Sequence, residues 1–277
     1  MTRLSRKGLL ILAEHLSNRD RDIVELVGRF GVTSGKQVER LLFAAGSEAA
    51  SNARLARRSL ARLTERRILV RLERRIGGVR AGSAGSVFRV GTAGDRLLRL
   101  WRDEGGRGRA AQEPGQLFVR HGLAVTETYV RLRETEREGA LEVLAFEAEP
   151  ASWRPFAGAG GSQVVKPDAF ARLGLGEYED RYFIEIDCGS EGRGALVAKC
   201  RTYLAYFRAG VEQAAHGVFP RIVWITTTEQ RVALIVDVCA SLPAASWPLF
   251  AVTTPERAKE LFVGTLDPAA VAPRRVS

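Results

Sequence analysis

The sequence predicts an α+β protein built in two parts, and three observations carry that prediction. Residues 1–104 read as successive helices followed by two short strands, whereas residues 117–265 alternate strands with helices around apolar runs such as 221–227. Charge divides at the same place. Residues 1–115 hold 24 Lys+Arg against 12 Asp+Glu, and residues 116–277 hold 18 against 20, so the formal +10 of the chain belongs to its first part. Between the two, residues 105–116 are rich in Gly and Arg, contain Pro114 and lack apolar periodicity, which marks a linker. A chain of 277 residues gives each part enough length for a core of its own. The last stretch, 266–277, is expected to be a flexible tail.

In the first part, Asn18–Phe30 places Ile23, Val24, Leu26 and Val27 on one face, carries acids in its N-terminal half and meets Gly31, so a helix is expected there. Thr33 is a plausible N-cap for a second helix over 34–43, with Val38, Leu41 and Leu42 inward. A small-residue turn, 44–51, leads to a third helix over 51–67. There Leu55, Leu60 and Leu63 line one side, and Arg54, Arg57, Arg58 and Arg62 line another. Residues 68–75 and 86–90 read as strands around a Gly/Ser-rich tip, 77–85. Helix, helix, Arg-striped helix and basic hairpin, in that order, is the layout of a winged helix-turn-helix module. Thr92–Trp101 closes it, and a helix at this place often supports a dimer, so a homodimer is among the expectations.

That layout and its charge point to double-stranded DNA. Arg far outnumbers Lys in the first part, which favours bidentate phosphate contact over generic solubilisation. The third helix would offer Arg54, Arg57, Arg58 and Arg62 to a major groove, with Ser51 and Asn52 at its N-terminal end. The hairpin would lay Arg71, Arg74, Arg75 and Arg80 along a neighbouring phosphate track. A membrane surface fits less well, because the basic part lacks an amphipathic helix with an open apolar face. No apolar run approaches 18 residues, and LLILA near the start is too short for a secretory signal, so a cytoplasmic location is expected. Cys188, Cys200 and Cys239 have no CxxC spacing and read as small buried hydrophobes; no His lies at zinc-ligand spacing from them.

The second part opens with a helical pattern over 118–137. A strand is expected over 141–149, a loop over 150–162, strands over 164–173 and 181–187, and a helix over 195–208. The apolar strand 221–227 follows, then 231–239, whose dense β-branching leaves helix and strand both open. A last strand is expected over 249–253 and a helix from Pro255 onward. Two or three acids fall where chemistry is plausible. Glu185 and Asp187 share a face of their strand, and Asp168 would meet Glu185 if the preceding strand pairs with it. Convergent carboxylates with room for water and phosphate suit Mg2+ or Mn2+, which would activate water for phosphodiester hydrolysis. A lysine beside them would hold the phosphate. Lys199 and Lys166 are the candidates. Acids inside an apolar strand such as Phe183-Ile184-Glu185-Ile186-Asp187 are costly unless used. His121, at a helix entry, reads as a hydrogen-bonding residue rather than a base. Tyr203, Tyr206 and Phe207 read as core. Gly189, Gly192 and Gly194 are too irregular for a nucleotide fingerprint, and no Walker-type loop occurs.

The order of helix, strand, strand with Pro167-Asp168, strand with Glu185-Ile186-Asp187, helix and strand resembles the core of the PD-(D/E)xK nuclease superfamily. More narrowly, residues 20–208 resemble the replication-relaxation family of plasmid and mobile-element proteins. The matching stretches are HGLAVTETYVRL (121–132), KPDAF (166–170), YFIEIDCGSE (182–191) and KCRTYLAYF (199–207). The resemblance implies a winged helix-turn-helix domain followed by an α/β nuclease-like domain with a mixed central sheet. It also implies work in replication or transfer of a plasmid, phage or integrative element, beside other replication or transfer proteins. By the same resemblance Asp168, Glu185 and Asp187 would hold the metal, and Lys199 would complete the catalytic set. Glu127, on the helix over 118–137, would be a further acid by resemblance to the PD-(D/E)xK pattern. One departure stands out: Asp187 occupies the motif's lysine position, and Lys199 would have to replace it from the next helix. Two readings follow, a metal-dependent nickase and a non-enzymatic DNA-binding regulator with a silent nuclease-like fold.

Overall fold

Ser5 accepts a hydrogen bond from the Gly8 amide and starts α1 (Arg6–Glu14), a helix that the periodicity of its apolar residues does not announce. It is the first element of a computed structural model that describes residues 5–44, 49–72, 86–104, 114–158 and 161–265. The chain forms two compact units, Met1–Val130 and Arg131–Ser277. Their division falls inside a helix, Gln116–Arg137, and so lies past the expected linker, of which residues 105–113 are outside the described chain.

In the first unit, α2 (Asn18–Phe30) begins with a reciprocal cap: Ser17 accepts from the Asp20 amide, and Asp20 accepts from the Ser17 amide. Its apolar face buries Ile23, Val24, Leu26, Val27 and Phe30, and Gly31 ends it at φ +74°, where a side chain would be strained. A three-residue strand, β1 (Val32–Ser34), follows; it is too short for an alternating pattern to reveal it. Ser34 and Gln37 then cap α3 (Gly35–Leu42), one residue beyond the expected cap at Thr33. Next come α4 (Ala49–Glu65), β2 (Leu69–Leu72), β3 (Val87–Val90) and α5 (Thr92–Trp101). The strands form one antiparallel sheet in the order β1-β3-β2, with Thr33 opposite Phe88 and Val70 opposite Arg89. A side chain at Gly94 would put its Cβ 2.3 Å from the Ile68 carbonyl oxygen, so only glycine lets α5 lie this close to the chain entering β2. The first part of α6 (Gln116–Arg137) is tied in by Thr126, whose hydroxyl donates to the Val32 carbonyl at 3.1 Å.

The second unit is built on a five-stranded mixed sheet. Its strands are β4 (Glu142–Ala148), β7 (Ala169–Leu175), β8 (Tyr178–Asp187), β9 (Arg221–Thr226) and β10 (Phe250–Thr253), in the order β10-β9-β8-β7-β4. The β4–β7 and β7–β8 pairs are antiparallel; β8–β9 and β9–β10 are parallel. Two expectations are corrected here. The loop foreseen over 150–162 contains β5 (Arg154–Gly158) and the start of β6 (Gly161–Val165), paired as a hairpin. The strand foreseen over 164–173 is broken at 166–168, where Pro167 has no N–H to give a ladder. Between the strands lie α7 (Arg193–Ala209), α8 (Val211–His216) and α9 (Glu229–Ala240), and α10 (Ala258–Phe262) follows the sheet. The ambiguous segment 231–239 is therefore helical, started by Thr228, whose hydroxyl accepts from the Arg231 amide. Leu196, Cys200, Tyr203, Ile235 and Val238 pack with Phe183, Trp224 and Phe250 in one core. All three cysteines are free, and Cys200 and Cys239 are buried in that core. No helix among the described residues is long and apolar enough to cross a membrane.

Candidate functional site

The break before β7 sets the first acid. The register of β7 on β8, with Ala169 against Ile184, carries Asp168 to the place opposite Glu185. Asp168 Oδ2 accepts the Ile186 amide at 2.6 Å, so its carboxylate is turned toward β8. Strand alternation puts Glu185 on the face that Phe183 shares, under α7. There Lys199 Nζ reaches Glu185 Oε2 at 2.8 Å, and the Tyr203 hydroxyl donates to Oε1 at 2.5 Å. One helical turn separates these two partners, which is why both meet the same carboxylate. Tyr203 thus combines the expected core packing with a polar contact that its spacing alone could not announce. Trp224, opposite Glu185 on β9, puts its ring 5.4 Å from the Lys199 ammonium.

Glu185 is fully buried. Burial and the charge of Asp168 push its pKa up to about 8, against the pull of Lys199 and Tyr203. Burial also works against the Lys199 charge, but the Glu185 and Asp168 carboxylates outweigh it and hold that ammonium above its ordinary pKa. Lys166 is placed elsewhere, with its ammonium 4.4 Å from the Trp153 ring centroid.

Asp187 is held differently. Arg231 grips it with both arms, Nε to Oδ2 at 2.7 Å and a terminal nitrogen to Oδ1 at 2.6 Å. The Thr226 hydroxyl and the Gly189 amide also donate to it. Burial raises its pKa, and these hydrogen bonds outweigh burial and hold the carboxyl below its ordinary value. The same guanidinium donates to the Glu191 carbonyl, fixing the turn that enters α7. Among the described residues no three His, Cys, Asp or Glu side chains gather as a metal cage. The third acid foreseen beside Asp168 and Glu185 is paired with a guanidinium instead. Glu127, the other candidate acid, belongs to the first unit, where it accepts from Arg40 at 2.6 Å and Gln37 at 3.1 Å.

In the first unit, Arg54, Arg57 and Arg58 are exposed on α4 at three- and four-residue spacing. Arg71 is exposed on β2. Ser51 is half-buried and Asn52 is buried. Arg62 turns inward to Asp20 of α2, with its terminal nitrogen 2.6 Å from a carboxylate that is almost fully buried. Arg74, Arg75 and Arg80 lie outside the described residues.

A search of curated proteins and a search of solved structures matched none. Among family models, the one described as Replication-relaxation matches residues 24–222, well over half of the chain. The match runs from α2 to the start of β9 and so takes in Arg54, Arg57, Arg58, Asp168, Glu185, Asp187 and Lys199. This chain belongs to the replication-relaxation family.

Proposed function

We propose that the chain binds double-stranded DNA in the replication or transfer of a mobile element, and that its second unit carries a nuclease-like site able to nick that DNA. The observation that carries DNA binding is the triplet of exposed arginines on α4. This helix stands third in the order α2-β1-α3-α4-β2-β3, the order of a winged helix-turn-helix in which the third helix enters the major groove. Arg62 is better read as a strut that orients α4 against α2 than as a groove contact. Membership of the family supports the setting.

For the nuclease-like reading, the support is the 2.8 Å contact between Lys199 and Glu185 with Asp168 on the next strand. It brings two carboxylates and one ammonium together from segments that the PD-(D/E)xK pattern would use. Mg2+ or Mn2+ fits this set, because Mg2+ commonly rests on one or two carboxylates and takes waters and phosphate for its other positions. Glu185 has one partner on each oxygen, and a carboxylate oxygen accepts two. When bound, such an ion lowers the pKa of water and neutralises charge on the phosphate. Asp168 and Glu185 would hold it, Lys199 would sit against the phosphate, and Tyr203 keeps Glu185 oriented. The rival reading, a non-enzymatic regulator, is favoured by the engagement of Asp187 with Arg231.

Supercoiled plasmid incubated with Mg2+ or Mn2+ tests the proposal. The wild type should convert it to nicked circle, and an Asp168→Ala/Glu185→Ala variant should not. Nicking that is absent, or equal in both proteins, would leave the regulator as the surviving reading.

A further inference from the structure

We infer that the outer face of the β5–β6 hairpin is a second nucleic-acid contact, one that takes a single strand of DNA beside the Asp168 end of β7, with Trp153 stacking on a base and Lys166 meeting a phosphate. The inference rests on the DNA-handling reading above and adds to it a site of different ligand class. It begins with the pairing of the hairpin. Arg154 lies against Val165 and Phe156 against Gln163, so alternate residues face opposite ways. Phe156 and Val165 turn inward to the core, where Phe156 meets the Tyr206 ring at 5.1 Å. Trp153, Pro155 and Ala157 on one side, and Ser162, Val164 and Lys166 on the other, are left exposed. The described residues of the two strands put no acid on that face, and the Glu149 carboxylate beside Trp153 is engaged by the indole N–H.

Trp153 heads it. The side chain is 37% exposed, an uncommon position for an indole, and it is also held in place. Its Nε1 donates to Glu149 Oε1 at 3.1 Å, and the Lys166 ammonium stands 4.4 Å from the ring centroid. The ammonium lies over one face of this indole, so a base would stack on the other, and the lysine supplies the charge that a backbone phosphate needs; these are the two components of sequence-tolerant single-strand binding.

Position argues for a strand led to the candidate site. The Glu149 amide donates to the Asp168 carbonyl at 3.3 Å, and the buried Ser152 hydroxyl donates to the Pro167 carbonyl at 2.6 Å. These two bonds stitch the turn that carries Trp153 to the residues that carry Asp168. Lys166 lies two residues before the same acid. A strand stacked on Trp153, with a phosphate on Lys166, would therefore run beside the segment that carries Asp168. Duplex DNA, whose bases are already stacked, offers no base to this indole.

The test uses the full chain in EDTA, so that binding is read without cleavage, with fluorescent single-stranded and duplex oligonucleotides followed by anisotropy. Trp153→Ala should weaken single-strand binding about tenfold or more and leave duplex binding unchanged. Lys166→Ala should weaken single-strand binding and reduce its salt dependence. Trp153→Phe should keep single-strand affinity within about threefold and lose the quenching of tryptophan emission that the oligonucleotide causes in the wild type. A wild type that binds duplex but no single strand, or a Trp153→Ala variant with wild-type single-strand affinity, overturns this inference and leaves the duplex reading intact. If the wild type binds neither, both fall. Because Trp153 is partly exposed, matched thermal unfolding of variant and wild type is the expected control result.

Discussion

Glu185 is where residue-scale physics is most demanding. A carboxylate with no exposure is retained only if something compensates its desolvation, and here Lys199, Tyr203 and a raised pKa do so together. The sign of its effect on stability follows from that pKa. An unfolded glutamate releases its proton near pH 4.3, whereas the folded one keeps it to about pH 8. The folded state therefore binds more protons across that window. The contribution of Glu185 is present in full below the unfolded pKa and declines as pH rises, by up to about 1.4 kcal/mol per pH unit, until it is lost above about 8. Urea unfolding at pH 5.5 and 7.5 should show this decline in the wild type and a smaller one in Glu185→Gln. Identical pH dependence in the two proteins would remove Glu185 as its source. The residue types at this site were legible in the sequence, since acids within an apolar strand stand out. Tyr203 was legible only as an apolar ring at helical spacing, because its hydroxyl acquires meaning from the carboxylate packed above it.

At the scale of elements, α4 separates two kinds of arginine that a helical wheel puts on one stripe. Arg54, Arg57 and Arg58 reach solvent, while Arg62 is taken by Asp20 from a helix 42 residues earlier. The consequence for binding is specific. Arg57→Ala/Arg58→Ala should weaken duplex binding across sequences and lower the slope of log affinity against log salt by roughly two, about one for each phosphate no longer neutralised. A variant with the wild-type salt slope would take the helix out of the interface. The elements themselves were largely legible, because capping residues and apolar periodicity are local signals. The exceptions have local reasons too. Three residues of β1 are too few to display a period, and the Gly-rich sequence of 158–162 conceals a hairpin whose pairing is made by its flanks. Residues 231–239 depended on Thr228, whose cap resolves a β-branched run in favour of helix.

At the scale of the whole molecule, charge and core are assigned to different units. The basic excess lies in the first 115 residues, and an aromatic-rich core lies around β8, β9, α7 and α9. A cavity in that second core should therefore reduce stability without touching duplex affinity. Leu196 is fully buried between α7 and the sheet, and Leu196→Ala should cost about 2–5 kcal/mol. Calorimetry should show a lowered unfolding temperature, while anisotropy well below that temperature should show wild-type duplex binding. A matching fall in duplex affinity would mean that the basic surface depends on the second core. By itself the sequence determined the α+β class, the family and the confinement of positive charge, since all of these reside in composition, periodicity and motif. Only the tertiary structure decided which charges are available. Asp187 meets Arg231 across 44 residues, Arg62 meets Asp20 across 42, and Lys199 rather than Lys166 reaches Glu185. Such pairings depend on how helices and strands distant in sequence pack, and no local pattern along the chain encodes that distance.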